Sequence, residues 1–464
     1  MSLSRRSFLR AGIAFGAAPG LALADPLAMS PPLRPAIDAG RVVAAAGLAG
    51  EVGHALLDAR GEALSLGLAA RRMAPASTMK AITAAFALDR LGPAHRFRTQ
   101  ILRDGDALVL VGGGDPVLST DDLAALADAL VASGVTTPAR FAVWGGALPQ
   151  LPQITPEQSP HLAYNPSISG MVLNFNRVHL GWGSGGAGMQ LQARASRESP
   201  RAYTVTAAAT DQAALFGYRA DEDREHWTVS RGAIRRAGSR WLPVRLPELY
   251  AADVFQTLCR ARGLVLPTPE IATRAPQGPE LAGHDSPPVL ELVRDMLKFS
   301  TNLTAEVLGL HASGRADLGS SGAAMQEWLG DAGQGMRLSD HSGLSSGSRI
   351  SAFGMARILA GPGRDLDLPS VLKRNPLSEE LGADPAQTHE VRAKTGTLNF
   401  VSNLAGYVTT RGGQQGVFAI FCADPARRDA SVGAELPAGV STWTRAAKSL
   451  QRDVIAAFDA TLQS

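Results

Sequence analysis

The chain has little in it that would staple or anchor a fold. Its 464 residues hold two cysteines. Cys259 sits in an amphipathic helical pattern, DVFQTLCRARGL, and Cys422 in an apolar strand pattern, GVFAIFCADP. Both read as core residues rather than as a disulfide or a nucleophile. Charged residues make up only 19% of the chain, and no Lys/Arg run reaches the length of a nucleic-acid patch. A net charge of +3 suits at most a polyanionic setting such as a cell wall. The nine histidines show no metal-ligand spacing, so neither a metal nor an organic cofactor is implied. There is no internal repeat, and residues 181–190, GWGSGGAGMQ, form the one low-complexity tract, read as an exposed loop. Gly112-Gly113-Gly114-Asp115 follows a strand, but no Gly-Lys-Ser/Thr comes after it and Pro116 interrupts a helix. That stretch reads as a turn, not a phosphate loop.

Long apolar runs are also missing. Residues 11–24 are weakly apolar and broken by Pro19 and Gly20, short of the ~20 residues a membrane span needs. Before them stand Arg5 and Arg6, then Phe8 and Leu9; after them comes the small-residue stretch Ala22-Leu23-Ala24 before Asp25. Residues 1–24 therefore read as a cleaved twin-arginine signal, which implies the twin-arginine export machinery as partner and a periplasmic location.

What is present is a mixed pattern. GHALLDARGEALSLG reads as two strands around a turn at residues 58–61, and LAGYVTTRGGQQGVFAIFCADP as a second hairpin turning at residues 411–413. TWTRAAKSLQRDVIAAFDATL has helical spacing. Strands with neighbouring helices at both ends suggest one domain made of residues 25–96 and 285–464. Residues 97–284 would be an insertion of one or two α+β or β-rich modules, with a possible nested module at about 117–160. The fold class expected is α+β.

Three short stretches carry chemistry. In MAPASTMKAITAAFAL, Pro75 and Ser77 mark a helix start. Lys80 lies one turn on, at the head of an apolar run that looks made to be covered, and residues three apart share a face. A serine needs an adjacent base, and a lysine can serve only when neutral. Burial and a second nearby cation both favour that state. In MLKFSTNLTAEVLGL, Ser300 and Asn302 fall between two helical patterns. They can line one cleft wall, Ser300 passing a proton and Asn302 orienting Lys80 and holding a substrate amide; they also make a good helix cap. In VRAKTGTLNF, Lys394 is the candidate second cation and would hold a carboxylate with Thr395. Gly396 would leave room for a substrate backbone, and Thr397 would offer its N–H to an oxyanion together with Ser77. Separately, each stretch also reads as a capped helix or a strand end.

Together, Ser-x-x-Lys, Ser-x-Asn and Lys-Thr-Gly in this order resemble the signature of penicillin-binding proteins and class A β-lactamases. The stretches GGGDPVL, YNPSISGMVLNFNRV, HSGLSSGSRIS and AKTGTLNFVSNLAGYV resemble, in order, the class C low-molecular-mass group, the penicillin-binding protein 4 family of D-alanyl-D-alanine carboxypeptidase/endopeptidases. The resemblance implies a split transpeptidase-like (β-lactamase-like) domain with a large insertion. It implies an acyl-enzyme at Ser77, peptidoglycan stem peptides as substrate and β-lactam antibiotics as covalent inhibitors. It also places Tyr164, Leu344 and Leu398 in the pocket for the peptide side chain. A β-lactamase and a non-catalytic wall-binding homologue are the alternatives; the insertion counts against the first. The middle motif has Thr301 where the signature has aspartate, and His341 stands where a glycine is common; His341 reads as local packing.

Overall fold

The computed structural model describes residues 38–464; the twin-arginine segment lies outside them. The largest sheet has six strands and draws on both ends of the chain. Strand β1 (Glu51–Leu57) turns into β2 (Ala63–Gly67) because the Asp58 carboxylate accepts the N–H groups of Arg60 and Glu62. From the far end come β3 (Glu390–Leu398), β4 (Val401–Thr409) and β5 (Gln415–Ala423). The order is Lys373–Arg374, β3, β4, β5, β1, β2, with every pair antiparallel.

Strands β4 and β5 are apolar along nearly their whole length because both faces are covered. Odd positions such as Val401, Ala405, Ala419 and Phe421 pack with helix α1 (Met79–Leu91). Even positions such as Leu404, Phe418, Ile420 and Cys422 pack with Trp443, Leu450 and Phe458 of the closing helix, Val440–Gln463. The period of two sorts one strand between two cores. Each such buried large side chain is worth roughly 1.5–3 kcal/mol. Helix α1 is buried continuously from Met79 to Leu88, with Lys80 and Thr83 as the polar residues in an otherwise apolar run. Cys259 and Cys422 are both free and buried.

The chain leaves this sheet and returns to it at one place. Arg98 pairs with Asp285 across two antiparallel strands, Arg98–Asp104 and Glu280–Asp285, and Phe97 N–H donates to Ser286 Oγ at 2.9 Å. Between these points lies a five-stranded sheet with two three-stranded sheets beside it. The helices Thr120–Ala132 and Pro247–Ala261 supply Leu123, Leu130, Tyr250 and Phe255 to one shared core. Residues 117–160, expected as a possible nested module, contribute the helix Thr120–Ala132 and the strand Arg140–Trp144 to this sheet and core. They form no sheet of their own. The glycine run before Asp115 is explained by close backbone crossing. A Cβ at Gly113 would stand 2.1 Å from the Arg98 carbonyl oxygen.

Candidate active site

The site is built where α1 begins. Ala76–Thr78 form a single tight 3-10 turn that runs straight into α1. Ala76 has φ +47°, a left-handed conformation that costs a non-glycine residue of order 1–3 kcal/mol. The surroundings hold it there. Asn403 on β4 donates to the carbonyls of Ala74 and Pro75 at 2.8 and 2.9 Å, and Thr78 Oγ1 donates to the Pro75 carbonyl at 2.6 Å. Ser77 is thereby presented at the floor of a cleft of about 1100 Å³.

Lys80 follows one turn later and is fully buried. Its Nζ donates to Ser77 Oγ at 2.9 Å, to Asn302 Oδ1 at 2.8 Å and to the Ser342 carbonyl at 2.8 Å. All three protons of an ammonium are placed. Two helices meet beside it. Helix α2 (Val289–Phe299) ends at Ser300, which takes a left-handed φ of +59°, and α3 (Asn302–Ser313) begins two residues on. Thr301 makes no side-chain cap, and Asn302 spends its carboxamide across the cleft, donating to the Tyr164 carbonyl at 2.9 Å. The capping alternative for this stretch does not describe the fold: the sharp turn aims Ser300 and Asn302 into the cleft.

Lys394, on β3, donates to Ser300 Oγ at 3.0 Å and to the Thr395 carbonyl at 2.7 Å. It is 3% exposed. Gly396 plays a different part from the one expected. A Cβ there would stand 2.8 Å from Thr78 N and 3.0 Å from Ser77 N. The space it leaves is taken by the serine turn itself, so that β3 lies directly against the start of α1. Thr397 and Leu398 line the cleft, as do Ser77, Ser300, Asn302, Tyr164 and Leu344. Lys80 and Lys394 stand behind that surface.

The two lysines differ in electrostatics. Burial lowers the Lys80 ammonium to about 8, opposed by the charges of Glu306 and Asp340. Lys394 is pushed well below the ordinary lysine range, first by burial and then by the charges of Lys80 and Lys373. Burial is the first cause for both lysines, and the Lys80 charge adds to it at Lys394.

Some cleft residues escaped the sequence reading. Glu157, Arg349 and Arg428 line it alongside Tyr164, and the Glu157 carboxylate accepts the Ser346 N–H at 2.9 Å. No local signal singles them out; they converge from distant parts of the chain, Arg428 from the short helix Pro425–Ala430. Glu306 and Asp340, both buried, were missed for the same reason. His341 packs as expected: its ring stacks on Phe86, its Nε2 lies 2.6 Å from Ser321 Oγ, and burial holds it neutral down to about 3. It fills the space over Gly309, where a Cβ would stand 2.1 Å from its ring.

A serine hydroxyl on a buried lysine, backed by a second serine on a second lysine, is the equipment of acyl transfer through a covalent ester. Mounted on a sheet covered by helices on both faces, it defines the class of serine hydrolases with the β-lactamase-like, penicillin-binding fold. The chain belongs to the D-Ala-D-Ala carboxypeptidase 3 (S13) family, whose sequence pattern matches residues 52–446. It is thus a serine-type D-Ala-D-Ala carboxypeptidase, a hydrolase of peptidoglycan. Among its relatives is the D-alanyl-D-alanine carboxypeptidase of Actinomadura sp. strain R39, 29% identical over 453 residues that span 85% of this chain and 81% of the relative. Penicillin binding protein 4 (dacB) of Haemophilus influenzae shares the fold with a TM-score of 0.71 at 20% identity, covering 90% of this chain and 99% of that one. The same protein complexed with a β-lactam gives a TM-score of 0.68 at 20% identity and the same coverage.

Proposed function

We propose that Ser77 is the nucleophile of this carboxypeptidase and Lys80 its base. The observation that carries the reading is the 2.9 Å hydrogen bond from the buried Lys80 Nζ to Ser77 Oγ. With Lys80 neutral, Ser77 Oγ attacks the carbonyl carbon of the penultimate D-alanine and its proton passes to Lys80. The backbone N–H groups of Ser77 and Thr397 take the developing oxyanion. The amide C–N bond breaks, and the leaving D-alanine nitrogen takes a proton through Ser300. Water then hydrolyses the ester. Lys394 and Thr395 hold the terminal carboxylate, Asn302 the substrate amide. Gly396 lets β3 lie beside the serine turn, and Tyr164, Leu344 and Leu398 line the stem-peptide pocket.

The catalytic domain comprises residues 25–96 and 285–464, with 97–284 as the inserted accessory domain; the shared six-stranded sheet and the separate core of the insertion support this division. β-Lactams act as covalent inhibitors at Ser77. A D-centred crosslink is attacked in the same way as a D-Ala-D-Ala terminus, a reading that the cleft volume of about 1100 Å³ supports. Arg5 and Arg6 route the precursor through the twin-arginine machinery to the periplasm.

Incubation with benzylpenicillin followed by intact mass is the test. One covalent adduct is expected, lost in Ser77→Ala; no adduct, or an adduct that survives Ser77→Ala, overturns the assignment. Digestion of purified sacculi then reads the products: free D-alanine from carboxypeptidase action, uncrosslinked muropeptides from endopeptidase action. N-terminal sequencing of the exported protein tests the signal, with a start at Asp25 expected.

A further inference from the structure

The base of the site rests on a pair of buried acids that no motif contains. Glu306 lies on α3 four residues after Asn302, on the same face. Its two carboxylate oxygens accept the N–H groups of His341 and Ser342, each at 2.9 Å. Asp340 holds the same loop from within: it accepts Ser345 N–H at 2.9 Å, Ser348 Oγ at 2.8 Å and Ser342 Oγ at 3.3 Å. Both acids are essentially inaccessible. Among the described residues, no lysine or arginine forms an ion pair with either.

Their connection is to Lys80. Ser342 is gripped at both ends: its N–H donates to Glu306 and its carbonyl accepts Lys80 Nζ at 2.8 Å. Glu306 therefore holds one of the three acceptors around Lys80, Ser342, through a hydrogen bond. Two buried acids without paired cations are costly to a fold when ionised: burial, then the Asp340 charge, pushes the Glu306 carboxyl up to about 8, and burial raises Asp340 as well. The groups facing the cluster are few. Helix α1 presents Lys80 and Thr83, whose Oγ1 donates to the His341 carbonyl at 2.7 Å. The helix Leu318–Trp328 presents Ser321 to His341, and β3 presents Lys394.

We propose that Glu306 and Asp340 are positioning residues for acylation: they fix the 340–345 turn that offers the Ser342 carbonyl to Lys80, and the Asp340 charge behind that turn sets the pH at which Lys80 accepts the Ser77 proton. The proposal rests on the reading of Lys80 as the base. Its direction follows from the sign of the charges. Carboxylates near an ammonium favour its protonated form, so removing one makes Lys80 easier to deprotonate.

The test is the acylation rate with benzylpenicillin between pH 5.5 and 9.5 for the wild-type enzyme, Glu306→Gln and Asp340→Asn. The wild-type rate is expected to rise about tenfold per pH unit on its acidic limb. In Asp340→Asn the limb moves to lower pH by about half a unit or more, and in both variants the plateau falls about tenfold or more as the turn loosens. A merely structural role lowers the plateau and leaves the midpoint in place, and that result overturns the proposal. Should a variant not fold, the wild-type profile still decides: a rate flat from pH 6 to 9 overturns it. A wild-type enzyme that forms no adduct at any pH overturns instead the assignment of Ser77 on which all this stands.

Discussion

Two parts of this molecule bury ionisable groups, and they do it for different ends. In the inserted domain Glu225 is buried, and its carboxylate accepts the N–H groups of Arg245 and Leu246 at 2.9 Å. Asp253 likewise accepts the N–H groups of Tyr203 and Thr204. Each acid there ties one loop to one element. Around Lys80 the buried groups face one another as well as the backbone: Lys80, Glu306, Asp340 and, behind Ser300, Lys394. Hydrogen bonds to backbone donors stabilise a buried carboxylate locally. A cluster of mutually interacting charges instead makes each group's protonation depend on the others. The first arrangement holds single loops in place, the second couples several titrating groups.

The comparison is broken most severely by Ser77→Ala. Release of D-alanine from a pentapeptide is expected to fall by a factor of about 10⁴ or more, with the unfolding midpoint unchanged. Lys394→Ala comes next. Loss of the amine behind Ser300 is expected to lower kcat/KM by about 10²–10⁴, measured with the same substrate. Lys80 sharpens the contrast through pH. A base lowered to about 8 is neutral only above that pH, so acylation is expected to climb about tenfold per unit from pH 6 towards 8 and then level off. Rapid-mixing kinetics with a chromogenic β-lactam would read it. Gly396→Ala should do less. Its Cβ meets backbone atoms 2.8–3.0 Å away; overpacking of this kind typically costs about 1–3 kcal/mol, and the displaced serine turn slows acylation more than it lowers the melting temperature. Smallest in activity is Glu225→Gln in the insertion. It is expected to leave kcat unchanged while destabilising the fold by about 1–3 kcal/mol, seen by calorimetry.

Much of the site was legible because its spacing is local. Ser77 and Lys80 are three residues apart on one helix, and helical geometry alone brings their ends together. The two hairpins at the chain ends were legible because alternation and turn residues are local too. The glycine at 396 was seen, but not its use: room for a substrate and room for a neighbouring turn look the same in one dimension. Ser300-Thr301-Asn302 was ambiguous between cap and cleft, since the side chains that cap a helix are also those that orient a lysine. The left-handed turn at Ser300 settled its direction.

By itself the sequence determined that Ser77 and Lys80 share one helix face, the hairpins at the two chain ends, and the family. Only tertiary structure decided what surrounds Lys80. Asn302, Ser342, Glu306 and Asp340 are distant from it in sequence, and electrostatic energy follows separation in space and the exclusion of water, neither of which a linear order of residues records.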